Sequence, residues 1–309
     1  MNRNYLATSL VLLLGSLAPA LQAAVYLDAV QGSSPLASYS LNEAAGSTTT
    51  VDANYNGGTA FDGTSVNSVT FGGAGPATAG MSIGNTSASF GGANDVSIGG
   101  LGTFGSGMIT AGGFSFVAWV STTNTSSGAL ISFRNASGTN QNLIFQINRK
   151  SNDTAATNAL RLYLRDQSGH QISSGIDAPT ANITDGNWHM LAVSVSLTAT
   201  PTVSFFVDGV SAGTTGYAAS QQQAQTNVGN WSVGALGTSF GGSPGFSPTA
   251  FYTGSMDEVA IYDRVLSGSD VANLYSAALG VAVPEPGSFA LLGLGATALS
   301  FTTRRRTRR

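Results

Sequence analysis

Apolar and polar residues alternate along much of the middle of this chain. Six segments show the alternation most clearly: 114–120, 142–148, 160–165, 189–197, 203–207 and 256–262. A period of two residues is typical of a β-strand with one buried and one solvent-facing side. Asp208-Gly209 directly follows one of these segments and favours a two-residue hairpin turn. The pattern therefore predicts many short antiparallel strands.

One helix is predicted near the end of this region. Ser267 suits the N-cap position, and Asp270 lies three residues later as the acidic partner of a capping box. Val271, Leu274 and Tyr275 then form an apolar stripe. Many strands, glycine-rich turns and a single helix predict an all-β fold of two packed antiparallel sheets.

The first 24 residues have the layout of a secretory signal peptide. Arg3 supplies the leading positive charge, residues 6–17 are mostly apolar, and small residues occupy 18–24. Cleavage after Ala23 or Ala24 fits best, and Ala18-Pro19-Ala20 also matches the A-x-A pattern. The alternative is a single membrane anchor. It is disfavoured because the apolar stretch is shorter than the roughly 20 residues that a membrane span needs.

The other end of the chain, residues 281–309, has three parts in a fixed order. Pro284, Glu285 and Pro286 come first, then an apolar run over 287–301, then five arginines within 304–309. A 15-residue helix spans about 22 Å, short of the roughly 30 Å hydrocarbon core of a bilayer. The arginines would keep its end on the cytoplasmic side. A plain C-terminal anchor is the alternative.

This tail resembles the PEP-CTERM sorting signal of Gram-negative bacteria. The resemblance implies that Pro284, Glu285 and Pro286 are recognised by an exosortase, which cleaves near them. It further implies export, transient insertion of the apolar helix into the inner membrane, and delivery to the cell envelope, the outer surface or the extracellular space.

Composition narrows the function of the domain between the two ends, residues 25–280. The chain has no cysteine, which excludes disulfides and thiolate chemistry. The formal net charge of the whole chain is −3, but six of its twelve basic residues lie in the two ends. The region between them has six basic and fourteen acidic residues, a charge of −8. Nucleic-acid binding requires a basic face, so that class of partner is excluded.

Several segments, in order, resemble the laminin-G-like jellyroll modules of the concanavalin A-like lectin/glucanase superfamily. They are residues 35–43, 52–58, 88–98, 114–120, 185–193, 206–209 and 254–267. The resemblance covers roughly residues 35–279 and implies a two-sheet antiparallel jellyroll with the short C-terminal helix. Residues 60–86 have no counterpart in the pattern.

The acidic residues argue against glycosidase activity, although the superfamily includes glycosidases. Glycoside hydrolysis usually needs two carboxylates on either side of the scissile bond. The central domain has only two glutamates, Glu43 and Glu258, and lacks the E-x-D-x-x-E pattern of the glucanases. Asp257 and Glu258 are adjacent, so a regular strand would point them to opposite faces. We therefore predict that the module is not an enzyme.

Histidine chemistry is also disfavoured. His170 and His189 are the only histidines, and no G-x-S-x-G elbow accompanies them. His189 lies in the Trp-His signature of the family, where we expect a packing or hydrogen-bonding role. His170 is expected in a solvated turn.

Two kinds of binding site are expected from the resemblance. A structural Ca²⁺ would take oxygen ligands from Asp52, Asn56 and Asp257, and Asp95 is a weaker candidate. The alternative for Asp52 and Asn56 is that they shape turns through hydrogen bonds to the backbone. A sugar would stack on aromatic rings. Trp119 and Trp188 are expected to be buried, which leaves Trp231 and Tyr252 as the freer aromatic candidates.

The sequence thus predicts an exported, non-catalytic module that binds carbohydrate, with exopolysaccharide as one candidate glycan. A structural or adhesion protein of the extracellular matrix that binds other proteins is the second hypothesis. An unusual glycan-active enzyme is the third.

Overall fold

The protein is described by a computed structural model covering residues 25–53, 57–98, 112–135, 142–165, 171–177, 179, 181–197, 200–216, 229–236 and 250–281. Two helices and sixteen strands occur within these ranges. They are α1 Val25–Gly32, β1 Ala37–Tyr39, β2 Thr49–Thr50, β3 Gly63–Val66, β4 Thr70–Ala74, β5 Thr86–Gly91, β6 Asp95–Ile98, β7 Gly113–Ser121, β8 Gly128–Asn135, β9 Asn142–Arg149, β10 Ala155–Arg165, β11 Gln171–Ile176, β12 Trp188–Ser196, β13 Thr202–Val207, β14 Val210–Gly216, β15 Gly229–Val233, β16 Thr253–Tyr262 and α2 Gly268–Ala278.

The strands form two antiparallel sheets of eight strands each. Sheet I has the order β14-β13-β12-β7-β16-β5-β4, and β1 pairs with β16 beside β5. Sheet II has the order β11-β10-β9-β8-β15-β6-β3-β2. All six alternating segments of the sequence are strands, so the predicted two-sheet β-sandwich is confirmed.

The main hydrophobic core lies between the two sheets. Trp231 and Tyr252 belong to it, with exposed fractions of 2% and 1%. Trp231 packs against Phe116 and Phe133, with ring centroids 5.8 and 5.3 Å apart. The expectation that Trp231 and Tyr252 were the freer aromatic residues was therefore wrong, because both side chains point into the space between the sheets.

A second core covers the outer face of sheet I. Helix α1, which the hydrophobic pattern did not reveal, packs there beside α2. The ring of Tyr26 meets the edge of Trp119, and Tyr275 stacks on Trp119 at 5.8 Å. The N–H of Tyr26 donates to Gly80, and the N–H of Gly80 donates to Ala278. The two ends of the domain therefore lie close together.

Helix α2 begins as the sequence predicts. The Ser267 hydroxyl accepts from the N–H of Asp270, and the Asp270 carboxylate accepts from the N–H of Ser267. The Asp208-Gly209 hairpin is also confirmed, with φ of 51° and 75° at its two turn residues. A Cβ at Gly209 would lie 2.8 Å from the Cβ of Tyr275, so this turn packs directly against α2.

Residues 60–86, which the family pattern did not account for, contribute one strand to each sheet. β3 lies between β2 and β6 in sheet II, and β4 forms the edge of sheet I beside β5. The segment is therefore an integral part of the sandwich.

The predicted signal peptide and the predicted C-terminal apolar helix lie outside the described residues. Within the described ranges, neither helix is long and apolar enough to cross a membrane.

Candidate functional site

The outer face of sheet II carries a polar cluster on β9, β10 and β11. Leu160, Leu162 and Leu164 of β10 point into the core, so Arg161 and Tyr163 point outward, as the alternation predicts. Arg161 is nevertheless only 6% exposed. Another part of the chain must therefore cover this part of the face.

The turn that joins β9 to β10 provides this cover. Within it, the N–H of Asp153 donates to Lys150 and the N–H of Lys150 donates to Thr154. The Ser173 hydroxyl on β11 donates to the Ser151 carbonyl at 2.5 Å, and the Ser151 N–H donates to Asp177. These bonds hold the turn against β11, on the outer side of the sheet.

Gly175 permits this close approach. A Cβ at position 175 would lie 3.2 Å from the backbone nitrogen of Ser151 and 2.7 Å from the carbonyl oxygen of Leu160. A larger residue there would displace the turn or the strand.

Asn148 fixes the base of the hairpin. It is fully buried, and its amide nitrogen donates to the carbonyls of Asn124 and Ser126. Its amide oxygen accepts from the N–H of Asn158, inside a bulge where the register of β9 and β10 shifts. Asn158 in turn accepts from Ile183 and Thr184. This network positions the start of β10 and hence Arg161.

The charges of the cluster centre on one carboxylate. Asp153 accepts from the Nε of Arg149 at 3.0 Å and from the Nη1 of Arg161. These contacts, the hydrogen bond from Arg149 first, lower the pKa of Asp153. Burial lowers the pKa of Arg161, and Asp153 opposes that shift. Because a guanidinium keeps its proton in proteins, Arg161 remains charged despite its burial, and the lowered pKa of Asp153 favours its charged form.

The turn, the sheet face and these side chains enclose a pocket of about 480 Å³. We call it the turn pocket; its lining residues are Ile144, Ser151, Asn152, Asp153, Arg161, Tyr163 and Ser173. The volume lies within the range of small-molecule sites. An aromatic ring, a buried cation, an exposed carboxylate and several amide and hydroxyl groups are the functional groups that bind a polyhydroxylated ligand.

Sequence reasoning missed this pocket. Its walls come from residues that are neighbours only after the turn folds back on β11, a contact that strand alternation does not reveal. One feature of the sequence does mark this region of the domain. Five of the six basic residues of the domain lie within 134–165, namely Arg134, Arg149, Lys150, Arg161 and Arg165.

The predicted calcium ligands are not brought together among the described residues. Asp52 is buried, and its two carboxylate oxygens accept from the N–H groups of Ser38 and Phe61. Asn56 lies outside the described residues. Within the described ranges, no group of three or more His, Asp or Glu side chains is arranged to hold a metal. The geometry of Asp52 is that of a turn-shaping residue, and the calcium site stays a prediction.

Asp257 and Glu258 do not follow regular strand alternation. The register of β16 against β7 shifts between Asp257 and Ala260, and Glu258 has a φ of 48°. Both side chains are buried, and Asp257 accepts from the amide of Asn85 at 2.6 Å and from the N–H of Glu258. Burial raises the pKa of both carboxyl groups, and the charge of Glu258 raises the pKa of Asp257 further. The premise that they face opposite sides was wrong, because a bulge interrupts the strand.

The weaker calcium candidate, Asp95, is also buried. Among the described residues, neither of its carboxylate oxygens is within hydrogen-bonding geometry of a partner. Burial raises the pKa of Asp95, and the nearby hydroxyl of Ser232 partly opposes that shift.

His189 has the hydrogen-bonding role that the sequence predicts. Its Nδ1 lies 2.7 Å from Asp208, and its Nε2 lies 3.2 Å from Asp185. Both imidazole nitrogens are therefore engaged by carboxylates, and neither is left to activate a serine. His170 lies outside the described residues.

Comparison with known protein families identifies the class. The family model Laminin_G_3, described as concanavalin A-like lectin/glucanases superfamily, matches residues 90–272, more than half of the chain. The chain therefore belongs to this superfamily, whose laminin-G-type domains are commonly non-catalytic binding modules. The PEP-CTERM protein-sorting motif matches residues 282–306, which include Pro284, Glu285 and Pro286, and indicates export. No curated protein matches the sequence.

Solved structures confirm the fold. Domain 4 of AbnA, a GH43 extracellular arabinanase from Geobacillus stearothermophilus solved with arabinotriose, has a TM-score of 0.51 and 17% identity, covering 78% of this chain and 98% of that one. The binding domain of botulinum neurotoxin DC in complex with SialylT has a TM-score of 0.53 and 11% identity, covering 80% of this chain. This chain spans about half (51%) of that neurotoxin domain. At these identities the likeness concerns the fold alone.

Proposed function

We propose that this protein is an exported, non-catalytic carbohydrate-binding module of a Gram-negative cell envelope or extracellular matrix, and that it binds glycan in the turn pocket. The observation that carries the proposal is the pocket itself. It combines a half-buried Tyr163 ring with hydrogen-bonding groups that converge from a turn and a rigid sheet. Sugar sites are built from such combinations of an aromatic surface and fixed polar groups.

The comparisons support a binding module. The family is a lectin and glucanase superfamily. Two proteins of similar fold were solved as complexes, one with arabinotriose and one with SialylT. In this chain the two domain glutamates do not form an open catalytic pair. Glu258 is 3% exposed, and one Glu43 oxygen accepts from both Thr50 and Val51.

The sorting part of the proposal rests on the PEP-CTERM match. An exosortase would recognise Pro284, Glu285 and Pro286 while the apolar run holds the tail transiently in the inner membrane. Replacing these three residues by alanine is expected to leave an uncleaved chain in the membrane fraction, detected as a band of higher mass. Normal processing of that variant would contradict the assigned role.

Glycan binding is tested with the full chain on a glycan array. The array includes arabino-oligosaccharides, sialylated glycans, acidic polysaccharides and the exopolysaccharide of the bacterium that produces the protein. We expect binding to at least one glycan and a loss of tenfold or more in Tyr163→Ala. Ile83→Ala is the control, because Ile83 is 91% exposed and is not among the pocket-lining residues. Failure to bind any glycan would overturn the carbohydrate proposal and favour a protein-binding matrix role. Unchanged binding in Tyr163→Ala would place the site elsewhere.

A further inference from the structure

The turn pocket contains a buried guanidinium with one uncommitted nitrogen. The Nε of Arg161 donates to the Ser173 hydroxyl at 3.0 Å. Its Nη1 donates to Gln146 and Asp153. Its Nη2 has no hydrogen-bond partner among the described residues, although the side chain lines the pocket and the residue is 94% buried. This nitrogen is not among the fully buried polar atoms of the described residues that lack a partner, so solvent reaches it, and a ligand acceptor can take the place of that solvent.

The remaining contacts of Arg161 hold that nitrogen in place. Gln146 is the cross-strand partner of Arg161 on β9, and Ser173 lies on β11. The guanidinium is therefore fixed from both neighbouring strands, and the ring of Tyr163 lies 4.9 Å from its central carbon. A donor fixed in this way loses little conformational freedom when it binds an acceptor.

The charge around the pocket is opposite to that of the domain. Arg149 and Arg161 share a single carboxylate, that of Asp153. Lys150 adds a further positive charge in the same turn, and Asp177, whose carboxylate accepts from the N–H of Ser151, adds a negative one, so these five groups together carry a net charge of +1. Residues 25–280 as a whole carry −8. A basic site on an acidic protein attracts anions locally, while the remainder of the surface repels them.

We propose that the turn pocket recognises an acidic glycan, with the carboxylate of a uronic acid residue accepting a charge-assisted hydrogen bond from the Nη2 of Arg161. The assignment rests on the proposed glycan-binding function and names its ligand class. Ser151 and Asn152 are placed to contact ring hydroxyls on the turn side of the pocket. Asp153 neutralises part of the positive charge and thereby weakens the attraction for an anion.

The role of Asp153 separates an acidic ligand from a neutral one. In a site for a neutral sugar, the exposed carboxylate of Asp153 would accept ligand hydroxyls, and Asp153→Asn would weaken binding. In a site for a uronate, the same substitution removes a competing negative charge while retaining an oxygen for Arg149 and Arg161. It is then expected to strengthen binding about three- to tenfold.

The test uses the full chain and three polyuronates: polygalacturonate, alginate and glucuronan. Each is paired with its carboxyl-reduced form, which has the same linkages and no charge. We expect at least one polyuronate to bind at low salt, with a dissociation constant at least tenfold lower than that of its reduced partner. Raising the salt concentration to 0.5 M is expected to weaken this binding, because the attraction between pocket and carboxylate is screened.

Two variants complete the test. Arg161→Gln is expected to lose the preference for the polyuronate over its reduced form. Arg264→Gln is the matched control, because it makes the same charge change at a residue that lies after β16 of sheet I. This control is expected to retain the preference. Circular dichroism checks that both variants are folded. If Arg161→Gln does not fold, the direction of the change in Asp153→Asn still decides the question.

The possible failures differ. Equal binding to a polyuronate and its reduced form would overturn the acidic-ligand assignment and leave glycan binding intact, as would weaker binding in Asp153→Asn. Absence of binding to every polysaccharide, charged or reduced, would overturn both proposals.

Discussion

Single side chains fix the loops of this sandwich, and Asn148 is the clearest case. Its φ of 56° lies in the left-handed region, which asparagine tolerates better than most residues. Its amide reaches two carbonyls in the β7–β8 connection and one N–H in the β10 bulge. One buried residue therefore joins β9, the bulge of β10 and the connection between the two sheets.

Replacing Asn148 by alanine is expected to destabilise the protein by about 3 kcal/mol, because its fully buried amide makes three hydrogen bonds to partly buried or exposed backbone groups and all three are lost. The measurement is chemical denaturation followed by tryptophan fluorescence. Asn152→Ala is the matched control in the same hairpin: Asn152 is exposed and bonds only Thr154 among the described residues, so we expect a loss below about 1 kcal/mol. Equal losses in the two variants would contradict the assigned role of Asn148.

His189 gives the protein a pH-dependent contribution to stability. The hydrogen bond with Asp208, and then the other contacts with its two aspartates, raise the pKa of His189. A histidine whose pKa is raised by folding contributes its full stabilisation at pH values below its ordinary, unfolded-state pKa. This stabilisation is lost as the pH rises through the higher pKa of the folded state. Asp185 has a lowered pKa, chiefly because of the N–H of Asn187, so its own contribution is constant above pH 5.

We therefore expect the stability difference between the wild type and His189→Gln to be largest near pH 5 and to decrease toward pH 9. The effect should be about 1 kcal/mol or less, because Asp185 is 31% exposed and solvent screens the pair. Denaturation at a series of pH values measures it. A difference that grows with pH would have the wrong sign for this network.

At the scale of elements, features that depend on residues close together in the sequence could be predicted. Features that depend on how distant strands pair could not. Ser267 and Asp270 are three residues apart, so the capping box of α2 is visible in the sequence. The burial of Trp231 depends on which face of sheet II meets sheet I, and the bulge at Asp257 depends on pairing with β7; neither is a local property. The turn pocket was missed for the same reason, because Ser151 and Ser173 approach only after three strands have paired.

Helix α1 is an element whose stability comes from packing, since eight residues form too short a helix to be stable alone. Tyr26 is fully buried against Trp119. Tyr26→Ala is expected to cost about 3–5 kcal/mol, as for other buried aromatic residues, and to expose Trp119 to quenching by iodide. Ile83→Ala, at a highly exposed position, should change neither quantity. If quenching of Trp119 stayed unchanged in Tyr26→Ala, α1 would not be what covers this ring.

At the scale of the whole molecule, Asp52 connects the two sheets. It accepts from Ser38 in β1 of sheet I and from Phe61, which leads to β3 of sheet II. The Asp52 N–H also donates to the carboxylate of Asp62. The loop is therefore held by side chain–backbone hydrogen bonds across the edge of the sandwich.

Asp52→Ala is expected to lower stability by about 2–4 kcal/mol in the presence of a chelator, because two partly buried N–H groups lose a charged acceptor. Thermal melting with calcium and with chelator measures this, and Asp62→Ala tests the neighbouring carboxylate in the same loop. If the wild type loses stability on chelation and Asp52→Ala does not respond, the calcium site predicted from the sequence is supported at Asp52. A chelator response retained in Asp52→Ala would move any ion away from this residue.

The proximity of the two ends of the domain has a consequence for how the chain is made. A polypeptide is synthesised from its N-terminus, yet β1 pairs with β16 and α1 packs against α2, more than 200 residues later. Those first elements must wait for residues 253–278 before their contacts form. Since the sorting motif begins at residue 282, the stretch that completes the fold almost adjoins the stretch that directs delivery. A chain that ended before residue 253 would lack both stretches, so it could neither pair β1 with β16 nor carry the matched sorting motif.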